Sequence, residues 1–355
     1  MKISKFTIFF LLGLVAATTT AGAQVQNTAS APEPTISESF PEEEAFSDKD
    51  KIVTIAVEND SIGGGGTDQN YTSGVRLSYF DINADLPEWA RSAAKPIPDF
   101  DINHTTSVYY SLGQNLYTPE DITSEIQADD DRPWAAWAYG SVGLSTLTEN
   151  HNDIVEVSLG VVGPEALGKQ TQEVVHELIG SPDPEGWDNQ LDFEPGIVLS
   201  WERRWPQSVT ADIGPLNFSA MPSAGVTLGN IYTHASAGLS FQLTPTEDIW
   251  QDAPLRVRPS QPGTGFYNIP KSGFSWQIFG GVDGRAVARN IFLDGNTFKD
   301  SHSVDKNIFV ADANLGLGFT FDDVKLAYTV VYRTEEFDTQ DKGQVFGALS
   351  LSKRF

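Results

Sequence analysis

The most restrictive feature of this sequence is a period of two in apolar character, sustained over runs that often reach ten residues or more. Val53, Ile55 and Val57 alternate with Thr54, Ala56 and Glu58, and Val75, Leu77 and Tyr79 alternate with Gly74, Arg76 and Ser78. Such alternation marks strands with one apolar and one polar face. Similar runs recur near 105–117, 134–147, 153–162, 195–204, 208–229, 232–244, 273–293, 307–321, 324–336 and 344–355, which makes twelve in all. Strands in soluble sandwiches are commonly about 5–6 residues long, whereas a tilted strand crossing a bilayer needs about 9–11. The length and even number of the runs favour an all-β fold, a twelve-stranded antiparallel transmembrane β-barrel.

Both ends of the chain agree with that reading. Lys2 and Lys5, the apolar run Phe6 to Ala17 and the small residues Ala21-Gly22-Ala23 form a secretory signal, so residues 1–23 are expected to be removed. Residues 24–50 are rich in Pro, Ser, Thr and Glu and lack apolar periodicity, as expected of a disordered acidic linker. The barrel then occupies 51–355 and closes on Leu349-Ser350-Leu351-Ser352-Lys353-Arg354-Phe355, an alternating run with a terminal aromatic. Aromatic residues near run ends, among them Tyr109, Tyr110, Tyr117, Trp134, Trp137, Trp201 and Tyr232, suit either interfacial girdles or a packed interior. The absence of cysteine excludes disulfides and thiolate metal sites, and a net charge of −25 argues against nucleic-acid binding.

Connections are read as short at Pro206-Gln207 and Asp322-Asp323 and long at 81–104, 118–133, 163–194, 245–272 and 294–306. Alternation along the chain then places the 59–70 loop and the 163–194 insertion together on the extracellular side. The first of these crosses Gly63-Gly64-Gly65-Gly66 between Asn59, Asp60, Thr67, Asp68 and Thr72. These are hard oxygen donors that suit a Ca²⁺-like cation better than zinc, although a plain polar hairpin loop remains an alternative. The insertion carries the one helix expected in the chain, from Gly163 to Gly180, with Pro164 in its first turn. Gln172 and His176 share a face of it, and Val175 and Ile179 are expected to hold it against the barrel rim. His176 is the natural proton acceptor of the group. His104, His151, His234 and His302 lie in loops or at strand ends without evident partners.

Several blocks resemble, in order, the outer-membrane lipid A 3′-O-deacylases of the LpxR family. They are Glu58-Asn59-Asp60, Gly65-Gly66-Thr67-Asp68, Tyr71-Thr72-Ser73-Gly74 and Arg76-Leu77-Ser78. Gln114-Asn115-Leu116-Tyr117-Thr118-Pro119, Asp130-Asp131-Arg132-Pro133-Trp134-Ala135 and Gly160-Val161-Val162-Gly163-Pro164 continue the series, followed by Gln172 to His176, Ile179 to Pro182 and Gly186 to Gln190. The resemblance implies a bacterial outer-membrane enzyme that uses Ca²⁺ to hydrolyse the 3′-acyloxyacyl ester of lipid A in lipopolysaccharide, and the protein is expected to be a monomer. By the same resemblance Asp60 and Thr72 hold the ion, and His176, Gln172 and Asn59 are catalytic. The sequence departs from the family in one respect. Members can carry a lysine in the loop after the third strand, but 120–131 has neither Lys nor Arg, Ser124 falls nearest the position, and Arg132 is the first cation. A non-enzymatic pore or surface-binding protein and an outer-membrane phospholipase are the competing readings.

Overall fold

The computed structural model describes residues 51–355 apart from 64–68, 83–85, 96, 98–99, 101, 207, 246–253 and 258–261. The expected signal and linker, and Gly64, Gly65, Gly66, Thr67 and Asp68, lie outside the described residues. The alternating runs become β1 (Lys51–Asn59), β2 (Asn70–Asp81), β3 (Ser107–Thr118), β4 (Ala135–Leu147), β5 (Asn152–Val162) and β6 (Glu194–Arg204). They continue as β7 (Val209–Ile213), β8 (Leu216–Gly229), β9 (Tyr232–Pro245), β10 (Phe274–Asn290), β11 (Phe309–Phe321), β12 (Val324–Arg333) and β13 (Gln344–Arg354).

All pairings are antiparallel between neighbours. Two pairings close the ring: β1 with β13, from Ile52 opposite Arg354 to Asn59 opposite Gly347, and β6 with β8, from Val198 opposite Gly229 to Arg204 opposite Ser223. Closure removes the open edges of the sheet except along β7, which pairs with β8 alone among the described residues. β6 and β7 run along the same side of β8 and act as one interrupted strand, so the wall has twelve. The expected turn at Pro206-Gln207 is therefore corrected. Between Arg204, opposite Ser223, and Val209, opposite Ala220, four residues face two, and the chain reverses only at Gly214, whose φ is 62°. Pro206 lacks an N–H and interrupts the ladder as a bulge, whereas Gly214 accepts the positive φ of a tight turn. The turn at Asp322-Asp323 lies between β11 and β12 as expected.

The helical content and loop distribution also differ from expectation. Besides α2 (Gly168–Ile179) the chain forms α1 (Glu88–Ala94) and α3 (Ile291–Asp294). Following strand direction around the ring, 60–69, 119–134, 163–193, 230–231, 291–308 and 334–343 lie at one end, and 82–106 and 246–273 lie at the other. Long connections thus occur at both ends, and the second of these has a role inside the barrel. Leu255, Val257 and Tyr267 are buried, Arg256 pairs with Glu58 of β1, and the Val257 N–H donates to Glu58 at 3.1 Å. Tyr139 donates to the Val257 carbonyl at 3.3 Å, and Arg354 donates to the Tyr267 carbonyl at 2.9 Å.

Above this segment the lumen is filled by aromatics. Tyr117 and Tyr232 meet across it with hydroxyls 2.5 Å apart, and Phe292 of α3 stacks on Tyr117 with centroids 4.1 Å apart. Arg76 of β2 reaches Glu156 of β5 at 2.6 Å, and Arg333 and Arg285 both bond Asp312. Burial alone would raise the Glu336 carboxyl, but Arg333, Arg132 and Arg285 hold it below the usual carboxylate range. Tyr109, Tyr117, Trp137 and Tyr232 therefore belong to the interior rather than to a lipid-facing girdle. The outward positions Ile55, Val57, Leu77, Leu112, Leu159, Ile197, Leu199, Leu315 and Leu351 remain exposed and form the apolar belt.

Candidate active site on the outer wall

Strand parity decides which side of the wall each candidate residue occupies, because successive side chains point to opposite faces. On β3, Tyr109 bonds Glu156 and Tyr117 bonds Tyr232, both inside the lumen. Leu112, Gln114, Leu116 and Thr118 therefore point outward. At the loop-rich end Thr118 shares a 2.6 Å hydroxyl–hydroxyl bond with Thr72. Thr72 can reach it because β2 carries a bulge there: Tyr71 pairs with Tyr117 and Ser73 with Leu116, leaving Thr72 as the extra residue. Bulges re-aim side chains in this way.

Asn59, Asp60 and Thr72 are tied directly to one another. The Asn59 amide donates to the Thr72 carbonyl at 3.1 Å, and the Asp60 N–H donates to the same carbonyl at 3.2 Å. The Asp60 carboxylate is buried and accepts the Ser61 N–H at 2.8 Å and the Gln69 N–H at 2.9 Å, one on each oxygen. Ser61 also donates from its hydroxyl to Asn59. An ionised carboxylate is an acceptor only, a hard oxygen group able to take hydrogen bonds or a cation.

The insertion after β5 folds back over the same outer wall. A 3-10 turn, Pro164–Ala166, precedes α2, and the chain breaks between them at Leu167, whose φ is 58°. Gln114 of β3 donates to the Ala166 carbonyl at 2.6 Å. Leu116, Ala136, Ala166, Ile122, Trp134 and Trp187 form one buried cluster, with Ala138 and Val161 packed against it. Gly168 sits where an added Cβ would lie 2.5 Å from the Ala136 Cβ and 2.5 Å from the Trp187 ring. That close approach predicts an effect: Gly168→Ala displaces α2 from the wall and lowers activity about tenfold, the cost of overpacking being about 1–3 kcal/mol. Activity compared with heat-modified gel mobility checks this, since the barrel itself is expected to stay folded.

Gln172 and His176 both face the wall, with relative exposures of 3% and 2%. Trp187 donates its indole N–H to Gln172 Oε1 at 2.8 Å, and His176 Nδ1 lies 2.5 Å from the Pro182 carbonyl oxygen. A carbonyl can only accept, so Nδ1 carries a proton in this contact. The side-chain nitrogen of Gln172 is a buried donor with no hydrogen-bond partner among the described residues. Val175 and Ile179, expected to brace the helix, instead point away from the wall.

The structure thus brings Asn59, Asp60 and Thr72 into one group and Gln172 and His176 into another, on one face of the barrel. Contacts joining the groups run through β3. Thr118 holds Thr72, and Leu116, one outward step of roughly 6.7 Å along the strand, packs in the cluster that contains Trp187. Thr118 and Trp187 are the residues that sequence reasoning left out of the site. Both occur in the motif blocks, and the parity of Thr118 with Leu116 was a signal for the first.

A cavity of about 430 Å³ has Gln69, Asn70, Ser124, Trp134 and Lys342 in its lining, which includes none of Asn59, Asp60, Thr72, Gln172 and His176. The Thr123 hydroxyl and N–H hold the carboxyl of Asp121, at its edge, below the usual range. Arg132 does not stand in for the missing loop lysine: it is buried, 3.3 Å from Glu336 and 5.0 Å above the Tyr117 ring. His151 and His302 also have partners, Asp153 at 3.2 Å and the Asp131 carbonyl at 2.6 Å.

No group of three or more His, Cys, Asp or Glu gathers as a metal cage among the described residues. A cation at Asp60 would rest on one carboxylate with hydroxyl and carbonyl oxygens around it. Hard oxygen donors of this kind suit Ca²⁺ better than zinc, which prefers nitrogen and sulfur.

A closed barrel of this kind, with an apolar outer belt and polar residues gathered on its outer wall, is a bacterial outer-membrane protein. The family model for the outer membrane protein LpxR matches residues 9–355. The chain belongs to the LpxR family, whose activity is lipid A deacylation at the outer membrane. LpxR from Salmonella typhimurium has a similar fold, with a TM-score of 0.68 at 20% identity over 86% of this chain and 100% of that one. The β domain of the Bordetella autotransporter BrkA gives a TM-score of 0.39 at 7% identity, over 86% of this chain and 97% of that one. No curated protein matches the chain in sequence.

Proposed function

We propose that this protein hydrolyses the ester that carries the 3′-acyloxyacyl group of lipid A, with Ca²⁺ as its cofactor, at the outer leaflet of the outer membrane. The observation that supports it best is the joint placement of a carboxylate group and an imidazole on the lipid-facing side of the wall. A site inside the lumen would have no access to an acyl ester in the leaflet. On this reading the loop-rich end, with 60–69 and 163–193, is extracellular.

His176 Nε2 takes a proton from water as the water oxygen adds to the ester carbonyl carbon. The Gln172 amide, held by Trp187, donates to that water and orients it. The tetrahedral adduct then collapses, the bond from the carbonyl carbon to the sugar oxygen breaks, and the imidazolium returns its proton to that oxygen. The products are a free acyloxyacyl acid and a 3′-hydroxyl on the sugar. Asp60 and Thr72 would hold Ca²⁺, with Asn59 ordering the loop beside them, and the bound ion supplies positive charge next to the developing oxyanion.

Mass spectrometry of lipid A from cells expressing the protein tests this. The expected result is loss of the 3′-acyloxyacyl mass. An unchanged lipid A pattern alongside deacylated glycerophospholipid would favour the phospholipase reading, since the same ester chemistry serves both. The filled lumen weighs against a pore.

A further inference from the structure

Helix α2 has three sides, and only one of them belongs to the candidate site. At 3.6 residues per turn each residue advances about 100° around the axis. With Gln172 as the origin, Gly168, Gln172 and His176 span about 80° and form the buried side. Lys169, Gln170, Glu173 and Glu177 occupy a second sector, from about 60° to 160°. Val174, Leu178, Val175 and Ile179 occupy a third, from about 200° to 340°, together with the half-buried Thr171. In that third sector Val174 is 57% exposed, Val175 41%, Leu178 80% and Ile179 62%. The charged sector contains no large apolar side chain, and the apolar sector contains no charge.

An exposed apolar stripe on a helix already anchored by its polar face indicates that the surrounding medium is itself apolar on that side. The insertion that carries the stripe leaves the wall after β5 and rejoins it before β6, and the outward surface there has known surroundings. Phe193, where the insertion rejoins the wall, is exposed, as are Val157 and Leu159 of β5 and Ile197 and Leu199 of β6. These belong to the outward belt of an outer-membrane barrel and therefore meet lipid. Gly168 places the start of α2 directly against the same outer wall at Ala136.

We propose that α2 is an interfacial helix whose Val174, Val175, Leu178 and Ile179 edge lies among the acyl chains of the surrounding leaflet, while Glu173 and Glu177 face water. The partner is lipid hydrocarbon. Helices of this kind lie in the interface plane with the apolar edge about 5–10 Å into the acyl boundary. The inference rests on the outer-membrane placement of the barrel and not on the esterase reading. If both hold, the wall-facing side of α2 is level with the ester bonds of neighbouring lipids, and substrate enters sideways from the leaflet.

The chain contains no cysteine, so single-cysteine spin labels are unambiguous. Val174→Cys, Leu178→Cys, Glu173→Cys and Glu177→Cys variants of the whole protein are labelled and reconstituted in phosphatidylcholine–phosphatidylglycerol vesicles. Leu159→Cys serves as a belt reference. Accessibility to oxygen and to a water-soluble nickel chelate is then compared. The expected result is that labels at 174 and 178 resemble that at 159, favouring oxygen, while labels at 173 and 177 favour nickel. Equal nickel accessibility at all four helix positions would overturn the proposal. So would labels at 174 and 178 shielded from both probes, because that pattern means a protein cover such as a second copy. Since no turnover is measured, failure here is distinguishable from failure of the esterase assignment.

Discussion

Replacing His176 with glutamine is expected to lower the rate of lipid A deacylation by about 10²–10⁴-fold, the usual contribution of a positioned general base. Glutamine retains a polar side chain on the wall-facing side of α2 but cannot take a proton from water at neutral pH. The Pro182 carbonyl accepts from Nδ1, so Nε2 is the ring atom assigned to take the proton. The loss should appear in kcat, with KM within a fewfold of the parent, because the residue is assigned to the reacting water rather than to the acyl chains. Release of fatty acid from defined lipid A vesicles measures both. Activity retained within tenfold would remove His176 from the mechanism. A comparison with Trp187→Phe separates orientation from proton transfer. That change removes the 2.8 Å donor to Gln172 while sparing the base, so its effect should be smaller than that of His176→Gln.

The strands were legible because burial on one side of a wall imposes a period of two that a sequence displays directly. The interruption between β6 and β7 was not, since Pro206 signals a break without saying whether the chain reverses or bulges. Parity could locate the site's β3 side, but aromatic residues near strand ends carry no label for lumen or lipid. Trp137 and Tyr232 turned inward because the segment around Val257 and α3 give the barrel an interior to pack. The helix was the sharpest failure. Spacing placed Gln172 and His176 on one face, but the usual rule that apolar residues point inward selected Val175 and Ile179 for the contact. That rule assumes water outside. On the outer wall of a membrane barrel the outside is lipid, and the polar pair is the one that needs shelter.

Asp60→Asn is expected to raise the Ca²⁺ concentration needed for half-maximal activity at least about 100-fold, equivalent to about 2.7 kcal/mol. Ligand charge count is a main determinant of Ca²⁺ affinity in oxygen sites. Here Asp60 supplies the charge, because Asn59, Thr72 and Thr118 offer only neutral oxygens. Thr72→Val removes one neutral donor and should therefore weaken the ion much less, by about tenfold or under. The ordering of the two variants tests the assignment more strictly than either alone. Asp60 also accepts the Ser61 and Gln69 N–H groups, and asparagine can accept on one oxygen only. Loop disorder could then mimic metal loss, and two measurements keep them apart. Calorimetric titration of the unreacted protein with Ca²⁺ reads binding without turnover. Raising Ca²⁺ in the activity assay should restore rate in Asp60→Asn if affinity is the defect, and should leave it low if the loop has collapsed. A parent protein whose activity survives complete chelation would overturn the metal assignment and leave Asp60 as a structural tie between β1 and β2.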